Sequence, residues 1–408
     1  MGYNAATLTQ TAIFSTTPNA QLGGIWQAGN GIAADSSGNL YVAVGDGLFD
    51  ADSGGTDYGD TLLKLDANLN VLDYFTPMDQ GCRQQNDMDL GSSGPLILPP
   101  QSGAHAAEVL QSGKGGNPCD SSGLTSIYLA DQTNLGKFSA TEDNVVQEIY
   151  GSPSGYWSSA AYASSHGHQA VYYAGTSKTG VGNNLEMFLL TDGQLSTAPY
   201  AQSANRFQVG ATPTVSSHGD NNAIVWAIER QDFFFEQPGL HPAILYAYDA
   251  HSLTTLYASN QNSPRDQPGC GNKFQVPTVA NGQVFVATQN ELDVYGLLGA
   301  APAVAVSLSA PCFGFNPQAV GTPSAAQTEI VSNTGTSSLT VSGVTVSGMN
   351  ASDFAETNTC TSALAPGATC SISIVFTPGA SGPRIASLSI TDNALNSPQN
   401  AELAGVGQ

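Results

Sequence analysis

The stretch GNGIAADSSGNLYVAVGDG (residues 29–47) decides how the chain is read. A polar turn, Ser36-Ser37-Gly38-Asn39, leads into an alternating apolar run, Leu40-Tyr41-Val42-Ala43-Val44, and more glycine follows. A glycine-rich loop cradles phosphate only where a strand feeds a helix. No helical periodicity follows here, so a dinucleotide or P-loop reading fails on context. Gly29, Gly31, Gly38, Gly45 and Gly47 are expected as turn glycines around strands.

The pattern recurs in SIYLA (126–130), AVYYA (170–174), IVWAI (224–228) and QVFVA (283–287). Tyr41, Tyr128, Tyr172, Trp226 and Phe285 are the central aromatics, 87, 44, 54 and 59 residues apart. A second strand-like element with a polar turn follows most of them, as in LLKLDANLNVLDYF (62–75) and ILYAYDAHSLTTLYAS (244–259). Short Val/Ile/Tyr/Thr segments between Gly/Asn/Asp/Ser turns are an all-β signature. A repeat of several strands every 40–60 residues predicts a β-propeller. The central aromatics are expected to pack between successive sheets.

Residues 24–66 and 264–297 resemble pyrroloquinoline-quinone-repeat-like bacterial β-propeller proteins, over residues 1–298. The resemblance implies an exported propeller. Four full blades and a three-stranded last one can be counted, so the propeller is expected to be partial or about five-bladed. The segment 7–15 is a candidate for the outer strand that closes the ring; alternatively the chain is a fragment with earlier blades missing, and Met1 need not be the native start. After a short linker, residues 299–303, the composition shifts to Thr, Ser, Val and Ala. Residues 304–408 resemble an immunoglobulin-like domain of the abnormal-spindle/Hydin type. Alternation in SISIVF and ASLSI supports sandwich strands without that resemblance. In the resemblance, Cys360 and Cys370, on either side of the ALAPG turn, form a cross-strand disulfide.

Ten Lys+Arg against 32 Asp+Glu give a formal charge of −22. Such a field repels nucleic acid and anionic lipid, which removes both as partners. No apolar stretch is long enough to span a bilayer, and no secretory signal opens the chain. Six cysteines without a C-x-x-C suit disulfides in an oxidising compartment. The pairing of Cys82, Cys119, Cys270 and Cys312 stays open, with free buried thiols as the alternative. The expected location is extracellular, periplasmic or at the cell surface.

Three stretches are weighed for chemistry. FDADSGGTDYGD (49–60) sets Asp50, Asp52, Asp57 and Asp60 among glycines, a hard-oxygen set suited to calcium. Gly54 at the fifth position and the lack of a twelfth-position Glu break the EF-hand pattern, and the plainer reading is an acidic loop. His166 and His168 form an H-x-H that can hold zinc or copper, although SSHGHQ reads as a turn. Phe233, Phe234 and Phe235 lie in the loop RQDFFFEQPGLHP (230–242), either plugging one end of the propeller or touching a ligand. No nucleophile elbow is present. As a family pattern, quinone-dependent dehydrogenases stack the quinone on a vicinal disulfide; this chain has no adjacent cysteines, so no catalytic residue is transferred.

The expected function is a non-enzymatic, exported binding or scaffold protein with a protein or glycan ligand. The alternatives are a pyrroloquinoline quinone-dependent oxidoreductase and a purely structural stalk.

Overall fold

In a computed structural model the chain is all-β, and its strands gather into separate sheets. The structure describes residues 1–115, 119, 125–152, 155–176, 182–230, 241–263, 265–289, 291–299 and 302–408. Two compact units emerge: residues 1–227 with 247–256, and residues 228–246 with 257–408.

Strands β1 (Gly2–Tyr3) and β2 (Gln10–Ala12) pair only with each other among the described residues. The segment 7–15 therefore does not supply a strand to a later sheet, as the ring-closing expectation required. Asn4 explains the local pairing: its side-chain and backbone oxygens bind the backbone of Ala6, Thr7 and Leu8 and turn the chain back on itself.

The first sheet runs in sequence order, β3 (Ala33–Ala34), β4 (Leu40–Ala43), β5 (Leu62–Leu65) and β6 (Val71–Phe75), all antiparallel. Its two hairpin turns are chemically alike. Asp35 Oδ1 accepts the backbone N–H of Ser37 and Asn39, and Asp66 Oδ1 does the same for Asn68 and Asn70. The fourth residue of each turn has positive φ, Gly38 at 82° and Leu69 at 64°. Glycine meets that demand without strain, and leucine does not.

The second sheet, β7 (Leu96–Ile97), β8 (Glu108–Ser112), β9 (Thr125–Asp131) and β10 (Gln147–Ser152), repeats the order. The third has β11 (Ala161–Ser165), β12 (His168–Tyr173) and β13 (Asn183–Thr191), with β14 (Gln194–Leu195) and β15 (Ala201–Phe207) both on β13. Next come β16 (Thr214–His218), β17 (Asn221–Glu229), β18 (Ile244–Asp249) and β19 (Thr255–Ala258), and then the three-stranded β20 (Thr278–Ala280), β21 (Gln283–Ala287) and β22 (Leu292–Tyr295).

Successive sheets of the first unit pack face on face. One cluster joins Tyr41, Leu62 and Phe75 of the first sheet to Val109 and Tyr128 of the second. Another joins Leu110 and Leu129 of the second sheet to Val171, Tyr173 and Phe188 of the third. Tyr41 and Tyr128 therefore lie between sheets, with the Tyr128 ring 5.0 Å from Phe75. Tyr128, however, sits on the third strand of its sheet, whereas Tyr41, Tyr172, Trp226 and Phe285 sit on the second.

The second unit also holds β23 (Val306–Leu308), β24 (Cys312–Gly314), β25 (Gln327–Asn333), β26 (Val341–Ser347), β27 (Phe354–Asn358), β28 (Thr369–Phe376), β29 (Gly382–Asp392) and β30 (Gln399–Gly407). They form two four-stranded sheets, ordered β23-β25-β28-β27 and β24-β30-β29-β26. Alternation on β28 buries Cys370, Ile372, Ile374 and Phe376, which share one core with Leu388, Ile390 and Leu403 of the facing sheet. Phe315, Phe354 and Phe376 fill its centre with ring centroids 4.9–5.8 Å apart.

All six cysteines are paired: Cys82–Cys119, Cys270–Cys312 and Cys360–Cys370. Three disulfides suit an oxidising, extracellular-type environment.

Candidate functional site

The loops that lead into the first strand of successive sheets grip one another. In the loop before β3, Gln27 and Ala28 have φ of 49° and 47°. Positive φ in such residues costs about 1–3 kcal/mol each and persists only where surroundings over-determine it. Here they do. Gln27 Oε1 accepts the Ala43 N–H at 3.0 Å, and its amide donates to the Gly31 carbonyl at 3.0 Å. The Ser159 hydroxyl donates to the Gln27 carbonyl at 3.1 Å, and the Thr212 hydroxyl to the Ala28 carbonyl at 3.2 Å. Ser159 also accepts the Gly94 N–H at 2.8 Å. Segments leading into four sheets thus meet at one place.

Beside this junction lies a cradle of carboxylates. Asp46 follows β4, Asp60 precedes β5, and Asp87 and Asp89 follow α1 (Gln80–Gln85). Asp46, Asp87 and Asp89 are the group of three among the described residues whose ligand oxygens all lie within 4.8 Å of one another. Asp89 Oδ1 accepts the Asp46 N–H at 2.9 Å, and Asp60 Oδ1 accepts the Leu90 N–H at 3.0 Å. Asp46 is 8% exposed and Asp60 fully buried, yet Asp46 Oδ1 and Asp60 Oδ2 have no hydrogen-bond donor. A buried carboxylate oxygen without a donor is costly.

Two cations answer part of the charge. Lys114, 5% exposed, places Nζ 2.5 Å from Asp89 Oδ2 and 3.0 Å from Asp87 Oδ1. The same ammonium lies 5.6 Å from the Trp26 ring centre and 6.0 Å from that of Tyr156, within cation–π range. Arg83, buried on α1, pairs with Asp79 at 2.5 Å and donates to the Lys114 carbonyl and the Tyr128 hydroxyl. The Cys82–Cys119 disulfide anchors α1 in this position. Burial, then the charges of Asp89 and Asp87, push the Asp46 carboxyl up to about 7 against the pull of Lys114. Burial, then Asp46, push Asp60 well above the carboxylate range. The two acids therefore hold a proton near neutrality or take a cation in its place.

The sequence-level candidates lie differently. Asp50 Oδ1 accepts the Asp57 N–H at 2.9 Å, and Asp57 Oδ1 accepts the Asn19 N–H at 3.0 Å. Asp52 is exposed on the short turn Ala51–Ser53. Asp60 alone of the four lies against the cradle, beside Asp46, and the structure does not bring Asp50, Asp52, Asp57 and Asp60 to one centre. Phe233, Phe234 and Phe235 lie outside the described residues. Cys360 and Cys370 are bonded as the resemblance implied. Sequence reading missed Asp46, Asp87, Asp89, Arg83 and Lys114. Their available signal was scarcity: in a chain with ten basic residues, Lys114 and Arg83 are both buried.

A cleft of about 720 Å³ in the second unit carries Glu291 and Asp293, whose carboxyls burial raises to about 7 and about 6. No group of three converging ligand atoms is found there among the described residues. A quinone cofactor of the kind named above does not fit the cysteines: the three disulfides span 37, 42 and 10 residues, so none is vicinal.

No family model matches the chain, and no curated protein does. Among solved structures, a PapD-like domain of human CEP192 aligns at 17% identity over 29% of this chain and 97% of that one, with a TM-score of 0.21. The VesB protease of Vibrio cholerae aligns at 13% identity over 77% and 90%, with a TM-score of 0.23. The secreted serine protease VesC of the same organism aligns at 11% identity over 59% and 57%, also at 0.23. Likenesses this weak carry no argument.

Proposed function

We propose that this chain is a non-enzymatic, exported binding protein that uses a calcium-loaded cradle to set its ligand-binding loops. Residues 1–298 are read as a partial or five-bladed β-propeller, and residues 304–408 as an immunoglobulin-like spacer of the abnormal-spindle/Hydin type. The ligand is a protein or a glycan. Sheets of consecutive antiparallel strands support the propeller reading, and three disulfides support export.

One observation carries the calcium reading: two buried carboxylate oxygens, Asp46 Oδ1 and Asp60 Oδ2, have no donor beside a third acid, Asp89. Hard oxygen ligands of this kind suit calcium. Asp46, Asp87 and Asp89, whose oxygens converge, would hold the ion with Asp60 beside Asp46, and the ion would neutralise charge that Lys114 leaves uncovered. It would also tie the segments after β4 and after α1 into one rigid rim. The test is calorimetric titration of the chelator-treated protein with calcium. One ion per chain is expected, with affinity at least tenfold weaker in Asp87→Asn and Asp46→Asn. The unfolding midpoint of each variant without calcium serves as the folding control. No heat and no rise in midpoint at millimolar calcium would mean that the acids share a proton and the cradle is purely structural.

A further inference from the structure

Away from the cradle, the first unit brings a third histidine, His251, beside the H-x-H that His166 and His168 form in the sequence. His166 and His168 stand at the β11–β12 turn, both exposed. His251 comes from the β18–β19 turn, more than eighty residues later. Its ring centre lies 5.5 Å from that of His166 and 5.2 Å from that of His168. Zinc bonds imidazole nitrogen at about 2.0–2.1 Å, so two imidazoles on one tetrahedral ion stand about 5 Å apart between ring centres. The ring centres already stand at that separation, although the ring nitrogens do not yet converge within 4.8 Å as the carboxylate oxygens of the cradle do.

The environment of the three rings favours a cation. His251 Nδ1 is buried and has no hydrogen-bond partner. His105, by contrast, is held by Asp131 at 2.7 Å. Two carboxylates flank the group. Asp220 accepts the Ser164 hydroxyl at 2.6 Å and the Gly167 N–H at 2.7 Å. Asp249 accepts the N–H groups of His251 and Ser252 at 3.0 and 2.9 Å, which fixes the turn that carries His251. His166 itself sits at φ 53°, and its N–H donates to the Asp220 carbonyl. The backbones of both turns are therefore set by hydrogen bonds, while the exposed His166 ring bonds the Ser165 hydroxyl through Nδ1 at 3.0 Å and the exposed His168 ring stacks on His251. Joint coordination of one ion would require rotation about χ1 and χ2 of these two side chains, with His166 releasing Ser165 or binding through Nε2.

We infer that His166, His168 and His251 form a binding site for a divalent transition metal, zinc or copper, that links the β11–β12 turn to the β18–β19 turn. Imidazole is the ligand type these ions prefer, and carboxylates beside it lower the cost of the added charge. The inference rests on the three rings alone and is independent of the calcium reading.

The test uses the full chain, untagged and chelator-treated, titrated calorimetrically with zinc chloride in the presence of calcium. One zinc per chain is expected, at micromolar affinity. His251→Gln and His168→Gln are each expected to weaken it at least tenfold, while His218→Gln, on β16, leaves it unchanged. Zinc at a hundredfold excess over its dissociation constant raises the first unit's unfolding midpoint by about 5–10 °C, because the ion binds only the folded arrangement. Unfolding midpoints of the variants without zinc establish that each is folded. Absence of binding at millimolar zinc overturns the inference. So does binding that His251→Gln changes less than twofold, since the ion would then sit on the surface H-x-H alone.

Discussion

At the scale of single residues, the buried acids carry most of the consequence. Glu108, on β8, is fully buried, and neither carboxylate oxygen has a hydrogen-bond partner. Burial drives its carboxyl up to about 7, with His105 pulling down and Asp131 pushing up. In the unfolded chain a glutamate titrates near 4.3. Between those values the folded state binds the extra proton, so this contribution to stability is complete below about pH 4.3 and is lost as pH rises through about 7. After allowance for solvent screening, the loss is about 1–2 kcal/mol. Glu108→Gln removes the titration. Its urea midpoint is expected to exceed the wild type's at pH 8 and to match it at pH 4.3. Parallel pH profiles of the two proteins would show that the carboxyl does not titrate with folding.

At the scale of elements, α1 holds the cradle through Arg83, and the Cys82–Cys119 bond holds α1. A loop of 37 residues closed by that bond is worth about 3–4 kcal/mol in the chain-entropy picture. The double variant Cys82→Ser/Cys119→Ser is expected to lose part of that and to speed amide exchange across α1, while β28 exchanges as before. Uniform acceleration in both places would count against a local anchor. The strands themselves were legible in the sequence, because alternation and Asx turns are local: residues 35–39 and 66–70 announce their hairpins unaided. Tyr128 shows where local reading stops. The SIYLA pattern marks a strand correctly but not its place in the sheet, because β7 and β8 precede it without an aromatic of their own. The cradle was illegible for a related reason. Asp46, Asp60 and Asp89 meet only through the packing of three loops, and the acidic run 49–60 drew attention to neighbours that bond elsewhere. Pairing of Cys82 and Cys270 likewise depends on distances that no spacing encodes.

At the scale of the whole molecule, 32 acids against ten bases make the charge of −22 a global term. Self-repulsion of such a surface opposes the compact state, and salt screens it: the Debye length falls from about 30 Å at 0.01 M to about 8 Å at 0.15 M. In chelator-containing buffer at pH 7, the unfolding midpoint is expected to rise with sodium chloride over that range. A fall would mean that surface ion pairs such as Lys137–Asp73 outweigh the repulsion. Sheet topology has a kinetic side as well. The first three sheets each use a continuous run of chain, so each can close as soon as its last strand is available. In the C-terminal sheets, β24 lies parallel to β30, with Cys312 opposite Glu402. That pairing closes a loop of ninety residues, and long-range closure of this kind is slow. The sheet that holds β24 is therefore expected to gain its shape more slowly than the first three, and until then the β24 edge is where a folding helper has time to act.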